Sequence, residues 1–382
     1  MSRKIAIVLG TRPEAIKLAP VIARLRRNPE RWQTSLVVTA QHREMLDQVL
    51  QLFDLKPDYD LNLMRPGQNL FDVTSSALTG LREVFEVTEP DMVLVQGDTT
   101  TVFAGALAAY YLKIPVGHVE AGLRTGQRYS PFPEELNRRL TGSLTDLHFA
   151  PTSTAAWNLK QEGVETEKIL VTGNTVIDAL LETAAREDLP DFPDLSSPLI
   201  LLTAHRRESF GTPLGRIFSA VAELASRHPE CQVVYPVHPN PSVRKAASDK
   251  LEGIGNVQLC DPLDYASFVS LMKRARLILT DSGGIQEEAP SLGVPVLVLR
   301  DVTERPEAIK AGTVKLVGSD PERILEESGK ILSDDSHHRL MSEAQNPYGD
   351  GRAAARIEAM LAHHFYREAR PDAFSPEQGD SW

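Results

Sequence analysis

At 382 residues the chain is long for a single hydrophobic core and suits two domains. Its hydrophobic content of 42% and charged content of 24% are those of an ordinary globular protein, while a net charge of -11 argues against a nucleic-acid partner and confines any phosphate site to a local positive pocket. Two cysteines, Cys231 and Cys260, make neither a disulfide framework nor a zinc pattern, and no apolar run has the length of a signal peptide or a membrane span, so a cytoplasmic protein with no membrane partner is expected.

Short apolar runs alternate with longer amphipathic ones along the chain. The first, Ile5–Leu9, predicts a strand and leads through GTRPEAIK (Gly10 to Lys17) into a helix over Pro13–Arg26. Pro13 suits the helix start, and Arg12 and Lys17 bring positive charge to the strand end, although a plain helix start would use the same residues. Ser35–Thr39 predicts the next strand and Leu70–Phe85 the next helix. Met92–Val95 is a strand ending in QGDTTT, where Asp98 precedes threonines able to cap the helix Thr101–Leu112. Val116–His118 is a strand that runs into HVEAGLRTG, so Glu120 stands between an apolar strand and a glycine-rich loop. SPFPEELNRRL then places Glu134 and Arg138 four apart on the helix Glu134–Leu144, where a surface ion pair is the bland alternative. If Asp98, Glu120 and Glu134 converge, three carboxylates serve acid/base chemistry or bind a metal.

Leu147–Phe149 predicts a further strand, and Pro151 and the polar stretch 182–197 are candidate boundaries. The second half repeats the alternation. Strands are expected at Leu199–Thr203, Gln232–Pro236, Val257–Leu259, Leu277–Leu279 and Val296–Leu299, with helices at Pro213–His228 and Tyr265–Arg274. This rhythm is that of parallel sheets with crossover helices, and some ten strands divide more naturally into two doubly wound domains. His205, Arg206 and Arg207 in TAHRRESFG crowd one strand end, as pyrophosphate recognition would require, and His238 in YPVHPNP follows another. In TDSGGIQEEAPSLG, Ser282, Gly283 and Gly284 stand at a helix mouth, where free backbone N–H groups attract an anion. Glu287 or Glu288 one turn in would accept hydrogen bonds from a sugar diol, so a nucleotide fits better than bare phosphate. A tight strand-to-helix turn is the simpler use of those glycines. Arg305 in RDVTERPEA and the glycines of NPYGDG complete the set, with no GxGxxG fingerprint and no Walker motif.

Together GTRPEAIK, QGDTTT, HVEAGLRTG, SPFPEELNRR, TAHRRESFG, YPVHPNP, TDSGGIQEEAPSLG, TERPEA and NPYGDG resemble the bacterial non-hydrolysing UDP-N-acetylglucosamine 2-epimerases, in order and over nearly the whole chain. The resemblance implies a GT-B architecture, in which two Rossmann-like parallel-sheet domains face an interdomain cleft. Residues 1–170, joined by a C-terminal helix at 364–382, would carry the carboxylates, and residues 171–363 would bind UDP. It implies reversible C2 epimerisation of UDP-GlcNAc and UDP-ManNAc by a homodimer, without NAD or another cofactor and without an essential metal, supplying cell-surface polysaccharide synthesis. Carried over by position, the catalytic set is Asp98, Glu120, Glu134 and His205. The substrate and UDP set is Arg12, Lys17, Arg138, His205, Ser282, Gly283, Gly284, Glu288 and Arg305. Some members bind a second UDP-GlcNAc as activator; Gln41, His42, Gln68, Arg206, Arg207 and His238 match parts of that site, although Gly67 stands where some members carry arginine. A 2-epimerase of a modified UDP-sugar, a hydrolysing epimerase and a UDP-sugar-dependent glycosyltransferase of the same fold remain alternatives. A non-catalytic nucleotide-sugar sensor would have no need of Asp98, Glu120 and Glu134 together.

Overall fold

The strands form because β-branched and aliphatic runs bury both faces between crossover helices, the pattern of all-parallel sheets. In the computed structural model, which describes residues 1–39, 43–65, 67–192, 195, 198–206 and 210–376, they are β1 (Arg3–Leu9), β2 (Trp32–Val38), β3 (Tyr59–Asp60), β4 (Met92–Gln96), β5 (Val116–Val119), β6 (Leu147–Ala150), β7 (Ile169–Val171), β8 (Leu199–Thr203), β9 (Gln232–Pro236), β10 (Val257–Cys260), β11 (Ala275–Thr280), β12 (Val296–Val298) and β13 (Val314–Leu316). All ten strands read from the sequence are present. The three that were not, β3, β7 and β13, are edge strands of two or three residues, too short to carry a pattern of their own.

The chain divides into two units. Residues 1–179 with 348–382 form the first, and residues 180–347 the second. The divisions thus fall at 179/180 and 347/348 rather than at 170/171 and 363/364, so the whole of the helix Ala353–Tyr366 belongs with the first unit.

The first unit holds a seven-stranded parallel sheet in the order β3-β2-β1-β4-β5-β6-β7; the second holds a six-stranded parallel sheet in the order β10-β9-β8-β11-β12-β13. Both sheets are wound outward from a central pair, β1/β4 in one and β8/β11 in the other. At such a reversal the crossover helices diverge to opposite faces and leave a crevice beyond the carboxyl ends of the strands. One face of the first sheet buries Val8, Val93 and Val95 against Leu81, Phe85 and Val102. The second buries Ile200, Leu202 and Leu279 against Phe218, Val221 and Leu224. Each such side chain contributes about 1.5–3 kcal/mol.

The helix Ala353–Tyr366 packs on the first unit beside the helix Arg12–Arg26. Its buried Glu358 accepts hydrogen bonds from Arg24 at 2.7 Å, Asn28 at 2.9 Å and the Trp32 indole at 3.3 Å. Phe365 and Tyr366 meet the Trp32 ring edge-on, with centroids 6.3 and 5.5 Å away. Among the described residues no helix is long and apolar enough to cross a membrane.

Candidate active site

The first βα turn is closed by a residue that the sequence reading passed over. Thr11 caps the helix Arg12–Arg26, and Glu14 at its third position completes a capping box. The Glu14 carboxylate accepts the N–H groups of Gly10 at 2.7 Å and Thr11 at 2.6 Å, and the Thr99 hydroxyl at 2.5 Å. Burial pushes this carboxyl up, against the opposing pull of Thr99 and the turn N–H groups. Glu14 thereby fastens the turn after β1 to the turn after β4, across the sheet's reversal point. Gly10 is confined to glycine by its surroundings: a Cβ would lie 2.6 Å from the Thr101 hydroxyl and collide with that of Thr39. Arg12 is exposed on this turn and makes no hydrogen bond or ion pair among the described residues.

Glu120 follows β5 with φ of +64°, in the left-handed region that a non-glycine residue rarely occupies. Such a conformation costs about 1–3 kcal/mol and persists only where the surroundings hold it. Three side chains from three elements do so. Lys17 Nζ pairs with Glu120 Oε1 at 2.6 Å, Asn174 Nδ2 donates to the same oxygen at 3.2 Å, and Gln96 Nε2 donates to Oε2. Lys17 was expected in the substrate and UDP set; Gln96 and Asn174 were in neither expected set. Two residues before Glu120, His118 Nε2 donates to the Gly97 carbonyl at 2.7 Å, which fixes its proton on Nε2. Burial pushes this imidazole down to about 4, so it is neutral at pH 7 and steadies the backbone that carries Asp98.

Asp98 accepts Arg138 at 2.9 Å from Nε and 2.7 Å from a terminal nitrogen, and its carbonyl takes the Asn137 amide at 2.9 Å. The surface ion pair of Arg138 with Glu134, the bland alternative of the sequence, is therefore not what forms. Arg138 turns instead to Asp98 and, at 3.2 Å, to Glu135. Glu134 is half-buried at the start of the helix Glu134–Leu144, with no hydrogen bond or ion pair among the described residues. Its neighbour Glu135 is fully buried and structural: it accepts the N–H groups of Thr125 at 3.0 Å and Gly126 at 3.2 Å, anchoring the glycine-rich loop. Two hydrogen-bonded pairs, Gln96 with Glu120 and Arg138 with Asp98, gather the ends of β4 and β5 and the first turns of this helix around one corner of the first unit.

In the second unit the corresponding reversal point carries His205 after β8 and Asp281 after β11. Asp281 is fully buried and accepts the N–H groups of His205 and Arg206, each at 2.7 Å; its other oxygen lies 3.4 Å from His205 Nδ1. Burial lowers the basicity of His205, Asp281 works against that, and His238 and Arg206 add to it. His205 and His238, expected in different sites, are stacked with centroids 5.2 Å apart and planes 5° from parallel. Asp281 was legible in TDSGG only as a neighbour of the glycines.

Ser282 begins the six-residue helix Gly283–Glu288. A Cβ on Gly283 would sit 2.9 Å from the guanidinium carbon of Arg305, so that side chain lies directly on the Ser-Gly-Gly turn. It is held there by Glu287 at 2.8 Å, with Glu304 at 3.6 Å. Glu304 is itself clamped by Arg300 at 2.8 and 3.0 Å, which pushes its carboxyl down to about 2. Of the two glutamates offered for a sugar diol, buried Glu287 is thus committed to Arg305. Glu288 faces the turn, its Oε1 3.3 Å from where a Gly284 Cβ would stand.

The remaining expected residues divide. Gln41, His42 and Arg207 lie outside the described residues. Gln68 is bound into its own loop, accepting from Arg65 N at 2.8 Å and donating to the Leu63 carbonyl at 2.9 Å. Gly67 has φ of +79°, so an arginine there would be strained although nothing crowds it.

Comparison with known proteins gives this geometry a family. Residues 23–362 match the family described as UDP-N-acetylglucosamine 2-epimerase. The UDP-N-acetylglucosamine 2-epimerase of Escherichia coli K12 is 55% identical over 372 residues, spanning 94% of this chain and 99% of that one. A Neisseria meningitidis UDP-GlcNAc 2-epimerase solved with UDP-GlcNAc bound superposes with a TM-score of 0.84 at 49% identity, covering 94% of this chain and 99% of the other. The Staphylococcus aureus MnaA–UDP structure does so with 0.86 at 47%, covering 98% and 100%. The chain belongs to the UDP-N-acetylglucosamine 2-epimerase family and is an isomerase of GT-B architecture.

Proposed function

We propose that this protein interconverts UDP-GlcNAc and UDP-ManNAc by elimination and re-addition of UDP, without hydrolysis. The observation that carries the reading is Glu120: a carboxylate in a strained backbone conformation, held at both oxygens by Lys17, Asn174 and Gln96, with Asp98 and the Glu134 helix at the same corner. The chemistry demands such a set. The C2 hydrogen of a glycosyl nucleotide is not acidic enough for a base alone. As the C1–O bond to UDP breaks, C1 becomes oxocarbenium-like and the C2 proton becomes acidic. A carboxylate removes that proton, leaving 2-acetamidoglucal and UDP. A second acid returns a proton to the opposite face of C2 while the UDP oxygen re-forms its bond to C1.

Asp98, Glu120 and Glu134 are the acid/base set in this reading. Arg12, Lys17, Arg138, His205, Arg305 and the Ser282–Gly284 turn receive the charge of the departing diphosphate, and Glu288 accepts from the ribose hydroxyls. His205 suits that role because its resting imidazole is neutral and an arriving diphosphate favours protonation, with Asp281 at its other nitrogen. The bound ligands named for the Neisseria and Staphylococcus proteins support UDP-GlcNAc as the substrate. A homodimer belongs to the proposal, and so does a regulatory second UDP-GlcNAc site. For the regulatory site the candidates remain Gln41, His42, Gln68, Arg206, Arg207 and His238; among the described ones Gln68 is hydrogen-bonded within its own loop and His238 is stacked on His205.

Proton NMR of the protein with UDP-GlcNAc in heavy water tests the reading. UDP-ManNAc with deuterium at C2 of both epimers is expected. Free ManNAc with UDP would make the enzyme hydrolytic. No change, with a trace of UDP-GlcNAc kept beside UDP-ManNAc as activator, would overturn the substrate.

A further inference from the structure

The chain leaves the first unit after Ala179 and re-enters it at Tyr348. On the first unit's side these two passages are tied together. The Asn174 N–H donates to the Tyr348 carbonyl at 2.7 Å. Gly173, with φ of +81°, packs backbone to backbone on Gly349: a Cβ on Gly173 would stand 3.2 Å from the Gly349 Cα. Asp178 accepts the N–H groups of Ala353 and Ala354 at 3.1 and 2.8 Å, capping the helix that follows the returning passage. One residue of this knot also reaches the candidate chemistry. Asn174 is buried; its Oδ1 accepts Val176 N–H at 3.1 Å and so orients the amide, whose Nδ2 then donates to Glu120 Oε1 at 3.2 Å.

We infer that Asn174 is a positioning residue that sets the orientation of Glu120 and couples it to the returning passage of the chain at Tyr348. The inference rests on the proposed role of Glu120 in proton transfer. An amide is suited to this task because it can donate to a carboxylate and accept from a backbone N–H at once, while bringing no charge of its own. A carboxylate in its place would do the first only when protonated. Among the described residues, Lys17 from the helix Arg12–Arg26 and His118 from its own strand are charged or titratable groups that face Glu120, and His118 in turn interacts with Asp98. An added charge at position 174 therefore acts first on Glu120 and, through it, on these groups.

The test is the pH dependence of epimerisation in wild type, Asn174→Asp and Asn174→Ser. Asn174→Asp is close to isosteric and sets a second carboxylate against Glu120, and like charges at that separation hold a proton to higher pH. The acid limb of the kcat profile is expected to move up by about one pH unit or more, with KM changed less than about twofold. Asn174→Ser keeps an acceptor for Val176 but does not reach Glu120; kcat is expected to fall at least about tenfold, again with little change in KM. It carries the test should Asn174→Asp fail to fold. A merely structural role would lower the yield or melting temperature of both variants and leave the limb in place. An Asn174→Asp profile superimposable on wild type, or Asn174→Ser turning over within about twofold of it, overturns the inference. Failure of the wild type to epimerise overturns the proposed function instead.

Discussion

Two adjacent glutamates, Glu134 and Glu135, are predicted to fail in opposite ways. Glu135 is fully buried and accepts N–H groups from Thr125 at 3.0 Å, Gly126 at 3.2 Å and Arg138 at 3.2 Å, with Arg139 at 3.6 Å. In Glu135→Gln one of the two oxygens becomes an NH2 group and opposes donors with a donor. Two hydrogen bonds to a charged acceptor are lost, at about 1.5 kcal/mol each, for a total of about 3 kcal/mol. In a unit of roughly 200 residues each kcal/mol moves the melting temperature by about 2–4 °C, so a fall of about 6–12 °C is expected by scanning calorimetry near neutral pH. The pH dependence follows with its sign. Burial pushes the Glu135 carboxyl up, but the Thr125 and Gly126 N–H groups and Arg138 outweigh it and hold the carboxyl below 4.5. Its stabilisation is therefore complete above about pH 4.5 and lost as pH falls through the lower folded value, so wild type and variant converge in acid. Glu134→Gln is the contrast: with no hydrogen bond or ion pair to lose among the described residues, it changes melting by less than about 2 °C, yet cuts turnover at least about a hundredfold. A Glu135→Gln enzyme melting within about 2 °C of wild type would refute the structural role.

Gly10→Ala is expected to cost about 1–3 kcal/mol, because the added methyl displaces Thr101 and Thr39 and breaks the 3.0 Å bond between their hydroxyls; an unchanged urea midpoint would contradict that packing. His118 and His148 lie opposite one another on β5 and β6, both buried, and burial pushes them down to about 4 and about 3. The unfolded chain takes up protons near 6.5 that the folded chain refuses. Stability is thus complete above about pH 6.5 and declines progressively as pH falls toward about 4. Urea midpoints at about pH 7.5 and pH 5 should differ in that sense, and His148→Gln should remove about one proton from the dependence; equal midpoints in wild type would mean the imidazoles are not held neutral.

What the sequence made legible was whatever a local pattern encodes. The ten strands and the parallel winding followed from alternation, and the strand ends singled out Asp98, Glu120, His205 and Ser282 because polar residues there have no core to serve. What escaped depends on contacts between distant segments. Asn174 is 54 residues from Glu120, and Asp281 is 76 from His205; neither spacing leaves a local trace. Arg138 illustrates the point from the other side: four residues from Glu134, it invited an i,i+4 pair, but Asp98 in the turn after β4 takes two of its nitrogens on one carboxylate oxygen and prevails. Glu135 could have been suspected, since a glutamate beside a helix start often folds back on the loop before it.

The discontinuity of the first unit bears on how the protein is made. Translation delivers residues 180–347 before the helix Ala353–Tyr366, so the second unit is complete on the ribosome while the first still lacks the partner of Arg24, Asn28 and Trp32. For that interval an indole and its apolar surround stay uncovered on a sheet otherwise ready to close. A later stretch of synthesis thereby seals an earlier one, and Trp32 fluorescence, read against a variant lacking that indole, reports the sealing during refolding.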